Sequence, residues 1–249
     1  MSDSPIFSGD DLPARRILVL FAHPSLDRSE ANGPLAEAAA SVDGVTLVDL
    51  YAEYPAFEID VDREQARLLA HDVICFLHPL YWYSTPAILK EWLDLVLEHG
   101  FAYGAEGIAL RGKVFFSALT AGGAEAAYCA EGQNHFTIRE LLRPLEQTAI
   151  LCGMRYLPPF ALFGARTAVE EGRIAAHVAD WTRLLGALRE HRLDLSRAAA
   201  LPRLNDDLDA IIRPPGQAED GTESGPKSGP KSGPDSGPKS GPDSGPEEG

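Results

Sequence analysis

Residues 72–86 read Asp-Val-Ile-Cys-Phe-Leu-His-Pro-Leu-Tyr-Trp-Tyr-Ser-Thr-Pro. The apolar run that begins this stretch does not alternate with polar residues, so it predicts a strand covered on both faces, as in a parallel sheet. An earlier run, Ile-Leu-Val-Leu-Phe-Ala at residues 17–22, has the same character and stops in the same way, at His23-Pro24 where the later one stops at His78-Pro79. Two such strands, each delivering its chain into an unusual loop, set the frame for the rest.

Working outward, residues 35–40 are rich in Ala and Leu and predict a helix, and residues 45–50 predict a second strand. Residues 64–71 predict a short helix ahead of the third strand at 72–77. After it, Thr85-Pro86 has the form of a hydroxyl cap followed by proline at the first helical position, where a missing N–H is harmless. Ile88, Leu89, Trp92, Leu95 and Val96 then recur at helical spacing and give that helix one apolar stripe. A fourth strand is expected at 113–119, a helix at 138–152, a fifth strand at 156–163 blurred by Pro158-Pro159, and a last amphipathic helix at 174–188. Strand and helix alternate throughout, which predicts an α/β architecture: a three-layer, doubly wound, five-stranded parallel sheet with helices on both faces.

Composition bounds the function. The chain has 249 residues, 45% of them hydrophobic, and a formal net charge of −15. That charge argues against nucleic acid, whose binding depends on Lys and Arg neutralising phosphates, and against an anionic membrane surface. No apolar run approaches the roughly 20 residues that span a bilayer, so direct membrane insertion is not expected. The N-terminal residues are acidic and polar where a secretory signal would be basic and then apolar, and a cytoplasmic location is the default expectation. Cys75, Cys129 and Cys152 form no CxxC pair and are read as inert thiols; His78 and His99 lack partners at metal-ligand spacing, so no metal is expected. From Ser224 a four-residue SGP(K/D/E) unit occurs six times, a composition that cannot build a core. The expected organisation is a flexible N-terminal extension at 1–15, one domain at 16–198 and a disordered tail at 199–249.

In a doubly wound sheet, ligands bind outside the carboxyl ends of the strands. Three loops arrive there. The first, residues 23–32, places Ser29, Glu30, Ala31 and Asn32 just before a helix, where hydroxyl, amide and backbone N–H groups suit an anion such as phosphate. Ser29 or Asn32 alone fits a helix cap equally well, and Pro34 is tolerated if Asn32 is the cap. GxxxxGK[ST] and GxGxxG are both missing. The second loop, Pro79-Leu80-Tyr81-Trp82-Tyr83, carries three successive aromatics that fit a planar ring system, with packing between helices or at a subunit interface as the alternative. The third, Thr120-Ala121-Gly122-Gly123, lets backbone approach a ligand closely, and Tyr128 follows five residues on.

With those motifs in place, the chain resembles the flavodoxin-like NAD(P)H:quinone oxidoreductase family, which includes DT-diaphorase, and within it the branch of ancillary proteins of glutathione-gated potassium efflux. The resemblance runs from about residue 17 to 188 and rests on AHPxxxxSxAN (22–32), HPLYWYSTPAILKEWLD (78–94), HGFAYG (99–104), TAGG (120–123) and LLRPLEQTA (141–149). It implies a flavodoxin-like strand order of 2-1-3-4-5 and a non-covalent flavin, FMN by the nearest branch with FAD as the alternative. His23 and residues 29–32 would hold the phosphate and ribityl chain, residues 79–83 the isoalloxazine, and Thr120 to Gly123 its polar edge. It further implies NADPH or NADH as reductant, ping-pong transfer of two electrons to a quinone-like acceptor, a homodimer, and an alternative role as regulatory subunit of a potassium-efflux antiporter at the inner face of the membrane. Tyr128 matches a tyrosine that assists the charge shift in DT-diaphorase-like members, whereas Asn134 stands where those members have a histidine, with His135 one residue beyond.

Overall fold

The computed structural model describes residues 12–25 and 29–215. Its central sheet is built from β1 (Ile17–Phe21), β2 (Val45–Asp49), β3 (Val73–Pro79), β4 (Val114–Thr120), β5 (Arg155–Tyr156) and β6 (Phe160–Leu162), all paired in parallel. The order is β2-β1-β3-β4-β5, with β6 also on β4. The 2-1-3-4-5 order is therefore present, and the fifth strand position is shared by two short pieces. Pro158 and Pro159 explain the split: proline donates no N–H to a ladder, so pairing with β4 stops after Tyr156 and resumes at Phe160.

Helices α1 (Asn32–Ala40), α2 (Leu50–Glu53), α3 (Val61–Ala70), α4 (Ala87–Val96), α5 (Ile138–Leu141), α6 (Arg143–Leu151), α7 (Arg173–Arg189), α8 (Leu195–Ala200) and α9 (Leu208–Ile211) complete the described chain. Alternate strand residues feed opposite layers. Leu18, Leu20, Ile74, Phe76, Phe115 and Leu119 pack under Leu68, Ile88, Leu89 and Trp92. Ile17, Val19, Phe21, Cys75, Leu77 and Phe116 pack under Leu35, Ala39, Trp181 and Leu185 on the other face. Both faces are dry, which is why the strands read as unbroken apolar runs. Trp181 Nε1 donates to the Leu35 carbonyl at 3.0 Å and locks α7 to α1. On the opposite layer Glu64, fully buried, accepts from Tyr54 Oη (2.6 Å) and Trp92 Nε1 (2.9 Å) and pairs with Arg67, so a carboxyl group is held in the core by three partners.

Several boundaries differ from the sequence expectation. Thr85 does not cap α4: the helix begins at Ala87, with Pro86 at the cap position and no side-chain cap bond. The helix expected over 138–152 breaks at Leu142, because Pro144 falls in the first turn of the second piece. The short α2 is started by Asp49, whose carboxylate accepts from the N–H groups of Tyr51 and Ala52. Chain order also extends past residue 198. The disordered tail expected from 199 instead begins with ordered residues: α8, a 3-10 turn at Leu204–Asp206 and α9, with Leu204, Leu208 and Ile211 buried against the second layer. Apolar residues spaced at 193, 195, 198, 204, 208 and 211 supply enough burial to order this segment. The repeat from Ser224 and residues 1–11 lie outside the described residues.

Two histidines sit in dry surroundings. His78 ends β3 with its Nδ1 against the Pro79 carbonyl (2.9 Å), and His177 of α7 stacks on Phe160 with ring centroids 4.4 Å apart. Burial pushes each of them down to about 4. In the unfolded chain both titrate near the ordinary histidine value of about 6.5, so the unfolded state binds more protons between the two values. Their contribution to stability is therefore complete above about pH 6.5 and is lost as pH falls toward 4. Urea unfolding at pH 7.5 and at pH 5 should show a lower midpoint at pH 5, and His177→Phe should narrow the gap. Equal midpoints for the wild type would contradict the assignment.

Candidate functional site

The three loops meet at the carboxyl end of the sheet. β3 and β4 run in register to their last residues, with Pro79 opposite Thr120. Beyond that pair, the Leu80 N–H donates to the Thr120 carbonyl at 2.8 Å, which joins the second loop to the third. Asn32 Nδ2 donates to Thr120 Oγ1 at 2.9 Å and to Ser29 Oγ at 3.1 Å, which joins the first loop to the third. His23, buried, places its ring edge-on to Tyr81 with centroids 6.2 Å apart, which closes the circuit between the first and second loops.

Within the first loop, Ser29 Oγ also accepts from the Asn32 N–H at 3.0 Å, and α1 starts at Asn32 with Ala31 as its cap residue. Pro34 thus lies in the first turn, where it breaks nothing. His23 Nδ1 accepts from the Ser25 N–H at 3.1 Å. Asn32 Oδ1 is buried and has no hydrogen-bond partner among the described residues. A buried amide oxygen without a partner costs about 1–3 kcal/mol, so it marks a place where a ligand donor fits. Ala31 packs in a small cluster with Leu162 and Ala168, and Glu30 is exposed beside Val169 and Ile174 at the start of α7. These two lie next to the rim without joining the bonded circuit.

The second loop is a two-residue hairpin turn, with Tyr81 N to Ser84 O and Ser84 N to Tyr81 O both at 3.0 Å. Its central residues, Trp82 (φ 47°) and Tyr83 (φ 61°), occupy the left-handed region that such turns normally fill with Asn and Gly. Trp82 is 94% exposed, and Tyr81 and Tyr83 are about half exposed. Neither interhelical packing nor core burial explains aromatics held in a strained turn and left in water. Strain of this kind persists at ligand clamps.

In the third loop Thr120 and Ala121 are buried, and the Ala121 N–H continues the sheet by donating to the Leu162 carbonyl (2.8 Å). Gly122 and Gly123 are exposed. A Cβ on Gly123 would meet the Tyr128 ring at 3.3 Å, so the glycine makes room for the phenol. Tyr128 itself is half-buried and lies 5.0 Å from the Phe163 ring. Burial raises its pKa, the nearby Tyr83 adds to the rise, and the Asn134 amide opposes it, so Tyr128 is a protonated donor at neutral pH. Tyr83 Oη donates to Asn134 Oδ1 at 3.1 Å. Asn134 therefore stands between two phenols from different loops. Gly132 permits this placement: a Cβ there would come within 2.4 Å of the Ala126 carbonyl, inside the tight turn that returns Asn134 N–H to the Ala127 carbonyl.

Some features carry less than their sequence implied. His99 is packed edge-on to Tyr103 and against Gly104, and so braces the 99–104 loop. Burial pushes the thiols of Cys75 and Cys152 upward, as expected of inert groups, while Cys129 is only half-buried. Sequence reasoning did not reach the Tyr83 to Asn134 bond or the packing of Phe163 on Tyr128; no motif spacing signals a contact between residues 35 or more positions apart. No helix of the described residues is long and apolar enough to cross a membrane.

Residues 15–185 match the family described as having a flavodoxin-like fold. The chain is 46% identical over 156 residues to general stress protein 14 of Bacillus subtilis, covering 63% of this chain and 89% of that one. It is 47% identical over 171 residues to the glutathione-regulated potassium-efflux system ancillary protein KefG of Serratia proteamaculans, covering 68% of this chain and 93% of that one. Among solved structures it superposes on general stress protein 14 of Treponema denticola in complex with FMN (36% identity, TM-score 0.65, 70% of this chain and 99% of that one). It also superposes on an NADPH-quinone reductase from P. pentosaceus (32% identity, TM-score 0.62, 68% and 97%).

The strained turn generates a direct test. Replacing Trp82-Tyr83 by Asn-Gly supplies the residues that its backbone prefers, and should stabilise the protein against unfolding by about 1–2 kcal/mol. A lower melting temperature than wild type would contradict the strain assignment.

Proposed function

The chain belongs to the flavodoxin-like fold family, and on that premise we propose that it holds FMN at the carboxyl rim of the sheet and acts as an NAD(P)H-dependent two-electron reductase of quinone-like acceptors. The observation that carries this reading is the circuit of loops around Thr120, which places an anion-suited helix start, an exposed aromatic turn and a bare glycine loop side by side. The residues fit such a group. The unpartnered Asn32 Oδ1 suits a hydroxyl donor, the first turn of α1 suits a phosphate, and the face of the Tyr81 to Tyr83 turn suits a flat ring.

In this reading His23, Ser29 and Asn32, with Glu30 and Ala31 contributing backbone, hold the phosphate and the polyol chain. Residues 79–83 lie against the ring, and Thr120, Ala121, Gly122 and Gly123 border its polar edge. When bound, flavin supplies the hydride-accepting and hydride-donating chemistry, taking two electrons from NADPH or NADH and passing them to the acceptor. The protein's part is positioning and electrostatics. Tyr128, kept protonated by its surroundings, donates a hydrogen bond where negative charge develops, and Asn134 sets its place relative to Tyr83. Asn134 replaces the histidine of DT-diaphorase-like members and has no proton to exchange near neutral pH, so the assistance is hydrogen bonding without a relay through that position.

The purified protein should be yellow, release FMN on denaturation, and oxidise NADH or NADPH with a benzoquinone or naphthoquinone in ping-pong fashion. Gly123→Val should lose flavin because the added side chain fills the space that the backbone needs to approach the ring. A colourless protein that takes up neither FMN nor FAD would overturn the proposal.

A second reading is favoured by the identity to KefG: the chain is a regulatory ancillary subunit of a glutathione-gated potassium/proton antiporter, docked at the inner face of the membrane. It predicts co-purification with such a transporter and altered potassium efflux when the gene is deleted. Absence of both would remove it, and the reductase reading would be unaffected.

A further inference from the structure

The family match ends at residue 185, and the ordered segment at residues 190–215 lies beyond it. This segment is nevertheless fastened to the edge of the sheet on the side of Tyr128. Asn205 treats Ala161 of β6 as a neighbouring strand would: its Oδ1 accepts from the Ala161 N–H (2.9 Å) and its Nδ2 donates to the Ala161 carbonyl (3.1 Å). The Leu204 N–H donates to the Pro159 carbonyl at 2.9 Å, in the proline break between β5 and β6. From the other direction, Arg139 of α5 donates to the carbonyls of Ala199 (3.2 Å) and Leu201 (2.9 Å). Leu193, Leu204, Leu208 and Ile211 are buried below these contacts.

Arg203 projects from this fixed segment toward the third loop. Its guanidinium lies 5.2 Å from the centroid of the Phe163 ring, and Phe163 in turn packs against Tyr128. The three groups form a stack of cation, aromatic ring and phenol. Asp206 orients the guanidinium from within the segment, with Arg203 Nε donating to Asp206 Oδ1 at 2.7 Å. Arg203 Nη2 is shared: it contacts Asp206 Oδ1 at 2.5 Å and Glu125 Oε1 at 2.7 Å, three residues before Tyr128 in the same loop. The Arg203 side chain is 18% exposed and that of Glu125 66%, so the arginine end of the pair is sheltered while the carboxylate end is screened by water. A hollow of about 340 Å³ lies at the junction, bordered by Tyr128, Phe163, Pro202 and Arg203.

We propose that the C-terminal segment is part of the working site, and that Arg203 is a positioning residue that holds Tyr128 through Phe163 and holds its loop through Glu125. The inference rests on the reductase reading above for its kinetic consequence, and on the apoprotein alone for its structural one. The loop that carries Tyr128 begins at two exposed glycines, where the Gly164 N–H donates to the Gly123 carbonyl at 2.8 Å, and Arg203 adds a brace nearer Tyr128. A rigid arginine fork gripping one acid on the segment and one on the loop provides that brace.

The test uses the full chain and two readouts. In the flavin-free protein, amide hydrogen exchange over residues 121–134 should be about tenfold faster in Arg203→Ala than in wild type, while exchange in β1 and β3 stays the same. In the FMN-loaded protein, the same variant should keep its FMN affinity within about threefold and lose about tenfold in kcat for quinone reduction, with Arg203→Lys recovering only part of it. Glu125→Gln cuts the loop side of the brace without disturbing the segment, and should shift both readouts in the same direction by a smaller factor. It also decides the matter should Arg203→Ala fail to fold. Unchanged exchange at 121–134 in both variants, or unchanged kcat beside altered exchange, overturns the positioning role. A wild type that binds no flavin overturns the reductase reading and leaves the exchange measurement to decide the brace.

Discussion

Thr120 is the residue at which the functional loops are joined. Its carbonyl accepts from Leu80 and its hydroxyl accepts from Asn32, so one residue at the end of β4 binds the loop after β1 and the loop after β3. This arrangement is available only at the carboxyl end of a parallel sheet in which β1, β3 and β4 are neighbours, the order the strands adopt. The sheet supplies rigidity through two dry faces, and the rim converts it into a fixed distance between an anion-suited helix start, an aromatic turn and a glycine loop. Buried hydrogen bonds of this kind are costly to leave unmade, so the loops are set relative to one another before any ligand arrives.

The rim also shows where stability is given up. Trp82 and Tyr83 take backbone conformations that Asn and Gly would adopt freely, and Trp82 is left in water. Asn32 Oδ1 stays unpartnered while every other part of that side chain is engaged. Buried polar atoms without a partner among the described residues occur behind the rim as well, at Ser117 Oγ, Tyr156 Oη and His177 Nε2, while the Glu64 network and the Trp181 to Leu35 bond are paired; what sets the rim apart is an unpartnered amide oxygen beside an exposed aromatic turn with two left-handed residues.

Much of this was legible in the sequence because parallel strands with two dry faces leave unbroken apolar runs, and because loops at strand ends are local in sequence. The runs at 17–22 and 72–77, the aromatic turn and TAGG all sit where their patterns place them. What was not legible depends on contacts between distant residues. The partition of the fifth strand follows from Pro158 and Pro159, yet its continuation at Phe160 is decided by β4. The ordering of residues 199–215 depends on sparse leucines meeting a face of the sheet, which composition alone conceals beside a glycine- and proline-rich repeat. Asn134 reads in sequence as a missing histidine, and only the fold shows it bridging Tyr83 and the Tyr128 phenol.

The central claim is that the rim around Thr120 is a preformed seat for a flat, phosphate-bearing redox group. A crystal structure of the protein grown with FMN tests it most directly. The account predicts the phosphate at Ser29 and the first turn of α1, and the ring between the Tyr81 to Tyr83 turn and Gly122 to Gly123. The Asn32 to Thr120 bond should be unchanged. FMN bound elsewhere, or a rim that must rearrange and break that bond to admit it, would contradict the account.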